Sequence, residues 1–173
     1  MAEAVDSKVV FDRNVVEFVT VAAEYCAFVE QSGERSPEQT IDVLLKLLPL
    51  LYLKASMLPE MEQDGMTVLE DSVTESDYEW IRSAMAAAVG ADDDYLEVFT
   101  DGMQYSDVPV RKTISEDLAD IYQPLKNFVQ SFKSGINEIM AEAAALCRDQ
   151  FIEYWGQTLT CVLRALHSIR YRQ

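Results

Sequence analysis

The chain has 173 residues, 49% of them hydrophobic, six glycines, five prolines and a formal net charge of −16. That length suits a single domain that buries about 70% of its unfolded surface, so no disulfide or metal staple is needed, and the apolar share excludes a disordered chain. Acids outnumber bases 30 to 14, which disfavours nucleic acid and anionic membranes as partners, because both are held by clustered Lys and Arg.

The first helix is expected over residues 12–31. Val15, Phe18, Val19, Ala22, Cys26 and Val29 recur three and four apart, the apolar stripe of a helix, and Gly33 stands where a stop belongs. Ser36, Pro37 and Gln39 read as the N-cap, first residue and capping-box partner of a second helix. It carries Ile41, Leu44, Leu45, Leu48, Leu51, Tyr52 and Ala55, with Leu47 and Leu50 on the other side, as a helix central to a bundle would. Pro49 is expected to kink it and Pro59 to end it. Residues 59–74 read as a connector.

Thr74, with Asp77 three residues on, caps a third helix bearing Tyr78, Ile81, Met85 and Val89, and Gly90 is its left-handed stop. The run Asp92-Asp93-Asp94 complements a helix dipole, which predicts a short helix over 93–99. Residues 100–113 read as a loop, with strand-like alternation confined to 108–114. Ser115 is the expected cap of the next helix, striped by Leu118, Ile121, Leu125, Phe128, Val129 and Phe132, with Pro124 two turns in and a break at Gly135. Asn137 is the expected cap of a final helical stretch to residue 171. Ile139, Met140, Ala143, Leu146, Phe151, Trp155, Leu159, Val162, Leu166 and Ile169 line it as one long helix or two joined near Gly156. The fold class is therefore all-α: one domain over residues 1–173, a bundle of five to six helices, with the last helix and helices one and two as its core.

The charge is uneven. Residues 60–120 hold seventeen acids and three bases, whereas 1–59 sum to −4 and 121–173 to +2. Such a middle third is either a solvated face or a docking surface for a basic protein. Cys26, Cys147 and Cys161 are an odd number, each in an apolar helical stretch and none in a Cys-x-x-Cys pair, which reads as buried thiols in a reducing compartment. The N-terminal residues lack the pattern of a secretory signal and no run approaches ~18 uncharged apolar residues, so the expected location is cytoplasmic.

Recognisable chemistry is missing. The single histidine, His167, excludes a di-iron Glu-x-x-His pair and the two-histidine zinc motifs, and phosphate- and dinucleotide-binding glycine loops are absent. The Asp92–Asp94 run lacks the spacing of a calcium loop. Glu17 and Glu24, seven apart, could share a face of the first helix, but solvated acids are the simpler reading. The last helix has a second, polar stripe: Glu153, Gln157, Thr160, Arg164, His167 and Tyr171, spaced by fours and threes. At ~100° per residue Arg164 sits ~200° from Val162 and Leu166, so this stripe opposes the apolar one. It is either solvent-facing or a second contact surface.

The phrases Phe151-Ile-Glu-Tyr-Trp-Gly-Gln-Thr-Leu and Leu163-Arg-Ala-Leu-His167, with Val16-Glu-Phe-Val-Thr-Val-Ala and Asp120-Ile-Tyr-Gln, resemble a bacterial family of small helical proteins known only as a domain of unknown function. The resemblance covers residues 9–171 and implies an all-helical fold and a bacterial origin, with no activity, cofactor or catalytic residue.

Three functions fit these observations. The first is a non-enzymatic binding or adaptor module with an acidic surface for a basic protein. The second is a small-ligand-binding protein or enzyme at Glu153, Gln157, Arg164 and His167, where Arg clamps an anion and His moves a proton. The third is a structural homo-oligomer, a homodimer being its simplest form. None calls for a cofactor or a metal.

Overall fold

Local capping chemistry starts most of the helices. The computed structural model describes residues 8–97, 103–105 and 107–173. Helix α1 (Arg13–Glu30) begins where the Asp12 carboxylate accepts from the Asn14 amide at 2.8 Å. Helix α2 (Pro37–Ser56) opens on the expected capping box: Gln39 donates its amide to Ser36 Oγ, and its side chain accepts from the Ser36 amide. Pro49 lies inside α2 and does not end it; the helix stops at Ser56, before Pro59. Helix α3 (Glu75–Val89) is boxed by Thr74 and Asp77 and stopped by Gly90 at φ 76°, a value glycine alone adopts easily.

The helix expected over 93–99 does not form. A 3₁₀ turn (Gly90–Asp92) leads instead into strand β1 (Asp94–Glu97), which pairs antiparallel with β2 (Val110–Thr113), Asp94 opposite Thr113. Residues 98 and 99 of the expected helix lie outside the described residues. The acids that were to cap it serve elsewhere: Asp93 accepts from the Ser115 amide and hydroxyl at 2.7 Å and so caps the next helix from across the ribbon. That helix, α4 (Ile114–Phe132), has Thr113 as its own N-cap, not Ser115, because the strand end turns the Thr113 hydroxyl onto the Glu116 amide. Helix α5 (Asn137–Gln150) follows Gly135 (φ 70°); its cap position is Ile136, without a side-chain bond, so Asn137 is the first helical residue and not the cap.

The chain then makes a π turn (Phe151–Trp155) and continues as α6 (Gly156–Arg170), joined where expected. Cys147, Phe151, Trp155 and Leu159 are each four apart. On a regular helix every such step overshoots a full turn by ~40°, so the stripe would drift out of the core. The π turn absorbs the excess, closing a bond from the Gly156 amide back to the Phe151 carbonyl, five residues earlier. Gly156 has no room for a side chain there: a Cβ would meet the Phe151 carbonyl at 2.6 Å and its ring at 2.8 Å.

The six α-helices of the described residues pack around α4, which touches α1, α3, α5 and α6. The expected core of α1, α2 and the last helix is thus incomplete. α2 packs on α1 and α6 at the periphery, and Val43, Leu50, Leu53 and Met57 on its outer side remain exposed. Trp155 is wholly buried, stacked near Phe18 at 6.3 Å and tilted against Phe151 at 4.7 Å, while Phe18 stacks on Phe128 at 5.3 Å. Tyr25, also buried, donates its hydroxyl to the Leu118 carbonyl at 2.7 Å. No described helix is long and apolar enough to cross a membrane.

Candidate functional site

The first two turns of α4 carry Glu116, Asp117 and Asp120, and tyrosines from three other elements converge on the last two. Asp117 is fully buried; it accepts a short hydrogen bond from the Tyr95 hydroxyl of β1, and Lys112 Nζ of β2 lies 2.9 Å away as an ion pair, outside hydrogen-bond alignment. Burial raises the Asp117 carboxyl above the ordinary aspartate value and outweighs both contacts. Burial alone would lower Lys112, but the adjacent carboxylate holds it above its usual value. Asp120 accepts from the Tyr78 hydroxyl of α3 at 2.6 Å and is hydrogen-bonded by Tyr154 of the π turn. Burial, reinforced by these carboxylates, pushes Tyr78, Tyr95 and Tyr154 well above the ordinary phenol value, so they keep the protons that they donate to the aspartates.

Beside this cluster the 59–74 connector crosses α4. Asn127 Oδ1 accepts from the Ser72 amide and hydroxyl and the Val73 amide, and its Nδ2 donates to Asp71 at 3.3 Å. Between connector, α4 and the π turn lies a cleft of about 300 Å3 lined by Asp71, Asp120, Gln123, Asn127, Gln150 and Tyr154, with Pro124 at its wall. The sequence reading did not single out these residues as a site. The segments Asp120-Ile-Tyr-Gln and Tyr154-Trp-Gly-Gln, which carry the family resemblance, contain three of them.

Glu153, Gln157, Arg164 and His167 all stand exposed on the outer side of the last helix. Glu153 lies inside the π turn, so its phase is not that of the stripe that starts at Gln157. His167 sits against Tyr171, ring centroids 4.8 Å apart. Arg164 alone of the four borders a second cleft, about 290 Å3, which it shares with Cys161, Ser168 and Arg172 of the C-terminal segment and Tyr95 and Glu97 of β1. Arg172 bridges to Asp92 at 2.8 Å, and Arg111 to Asp94 at 2.6 Å. Each member of the aspartate run is therefore bound to the fold. Glu17 likewise pairs with Arg13 and Lys54, while Glu24 is exposed.

The three cysteines are free thiols. Burial pushes Cys26 up to about 12 and raises Cys147. Cys161 reaches about 11 through burial and its hydrogen bond with Glu97. All three therefore stay in the thiol form at neutral pH, the less nucleophilic state. Among the described residues no group of three or more His, Cys, Asp or Glu is placed to hold a metal ion.

Helical packing around α4, a two-stranded ribbon and clefts lined by hydrogen-bonding side chains define an all-α bundle protein. The model of a domain of unknown function (DUF5063) matches residues 9–172, and the chain belongs to that family. It is similar to protein BF1032 from Bacteroides fragilis, a structural-genomics target: the crystal structure has 47% sequence identity and a TM-score of 0.86, and the match covers 95% of this chain and 97% of that one. No curated protein matches.

Proposed function

We propose that the protein is a non-enzymatic binding module of the cytoplasm that docks a basic protein partner on the face made by the 59–74 connector, the first turns of α3 and the start of α4. One observation carries this reading. Glu60, Glu62, Glu70, Asp71, Glu75 and Glu116 are exposed, and among the described residues none of them lies within ion-pair distance of a Lys or Arg. Trp80, in the second turn of α3, is 57% exposed, and an exposed tryptophan is a common anchor in interfaces. Asp92, Asp93 and Asp94 hold the fold and are the wrong acids to test. The experiment is a titration of a basic peptide against the wild type and a variant carrying Glu60→Gln, Glu62→Gln, Glu70→Gln and Glu75→Gln. Wild-type affinity should fall steeply with salt, and the variant should bind weakly at low salt. Binding indifferent to both would end the proposal.

The Arg164 cleft supports a second reading, a small-ligand site. It predicts that an anionic ligand raises the melting temperature of the wild type but not of Arg164→Ala. The exposed Val43, Leu50 and Leu53 of α2, with Met57 at its C-cap, support a third, a homodimer; light scattering that returns a monomer mass removes it.

A further inference from the structure

The connector cleft is lined by two carboxylates and three side-chain amides. We propose that it seats one arginine side chain of the basic partner, a step that rests on the acidic-face reading and names the contact within it.

Negative charge gathers in this cleft without a cation to match it, although Asp120 accepts from two phenols and Asp71 from Asn127. Asp71 and Asp120 bring two carboxylates, no Lys, Arg or His lines the space, and among the described residues neither forms an ion pair. Gln123 and Gln150 line it too, and among the described residues neither side chain makes a hydrogen bond. Pro124 has no N–H, so the Asp120 carbonyl four residues before it is denied its helical partner. Tyr154, 48% exposed, adds a phenol ring. The frame is set in advance, since Asn127 is committed to the connector and holds Asp71 at the mouth.

The two carboxylates reject an anion, and the polar lining rejects an apolar ligand. A cation with several donors is what remains. An ammonium is a point charge with three donors; a guanidinium carries five in one plane, accepts nothing, pairs bidentately with carboxylates and lies flat on an aromatic ring. Acceptors spread over both carboxylates and two amides, next to a ring, match the second geometry.

The test titrates fluorescent hexa-arginine and hexa-lysine peptides at low salt against wild type, Asp71→Asn, Asp71→Asn/Asp120→Asn, and Glu60→Gln/Glu62→Gln. The last pair lies outside the cleft and removes the same charge as the double cleft variant. Wild type should prefer hexa-arginine about fivefold, and the double cleft variant should lose about tenfold in affinity together with the preference. Glu60→Gln/Glu62→Gln should lose about twofold and keep it. Asp71→Asn, at an exposed position, should reproduce part of the loss, and melting curves confirm that each variant is folded. Equal losses from the two double variants, or no preference in the wild type, overturn the arginine seat and leave the acidic face standing. No binding of either peptide to the wild type overturns both.

Discussion

Gly156 lies in direct contact with the Phe151 carbonyl and ring. The glycine has ordinary helical angles (φ −63°), so its role is spatial: the Phe151 carbonyl occupies the place of a Cβ. Gly156→Ala should cost about 1–3 kcal/mol in urea unfolding, the usual range for overpacking; a change below about 0.5 kcal/mol would mean that the π turn yields. Trp155→Ala should cost about 3–5 kcal/mol, as for large buried aromatics. Cys161, half-buried and held up to about 11 by burial and Glu97, should react slowly with iodoacetamide at pH 7. Glu97→Gln should speed that reaction at pH 8, and an unchanged rate would separate the two groups. Trp155 was legible as an inward residue from its place in the stripe. Asp117 was not: nothing in its spacing tells a buried carboxylate from an exposed one, and its partners Tyr95 and Lys112 are held by pairing across the ribbon.

At the scale of elements, the ribbon is fastened to α4 by Tyr95 on Asp117, Lys112 beside it and Asp93 over Ser115. Because the folded Asp117 has a raised value, its contribution favours the fold below the ordinary aspartate value of about 3.9 and is lost as pH rises through the raised value. Glu17, Asp64, Asp77 and Asp94 are lowered by their hydrogen-bond partners and act oppositely, their contribution vanishing as pH falls. The stability of Asp117→Asn relative to the wild type should therefore improve from about pH 4 to pH 7 in urea titrations; a constant difference would contradict the raised value. Tyr95→Phe leaves the carboxylate short of a donor and should cost about 1–3 kcal/mol, with faster amide exchange in β1 and β2. Helices α1, α2 and α3 were legible because capping and apolar period act within a few residues. The short helix assigned to 93–99 failed because β1 draws its partners from 13 to 19 residues away, and the capping contact of Asp93 with Ser115 spans 22. Leu47 and Leu50, on the other side of the stripe, made α2 look central, a place the structure gives to α4.

For the whole molecule, a charge of −16 with few neutralised acids between residues 60 and 79 implies self-repulsion in the native state. The melting temperature should rise on adding salt to about 0.5 M, where screening is strong; a flat response would show the acids to be mutually compensated. Composition revealed this imbalance, but the connector cleft was hidden, since it joins residues 71, 120 and 154 through packing alone. The π turn has a consequence for how the C-terminal rod tolerates change in length. It holds one residue more than a regular turn would, so α5 and α6 already keep their inward sides aligned around a surplus. Excising exposed Ile152 or Glu153 should let the two fuse into an unbroken α-helix with both flanks seated as before, whereas excision within 157–165 should rotate everything downstream by ~100° and expel Leu166 from the interior.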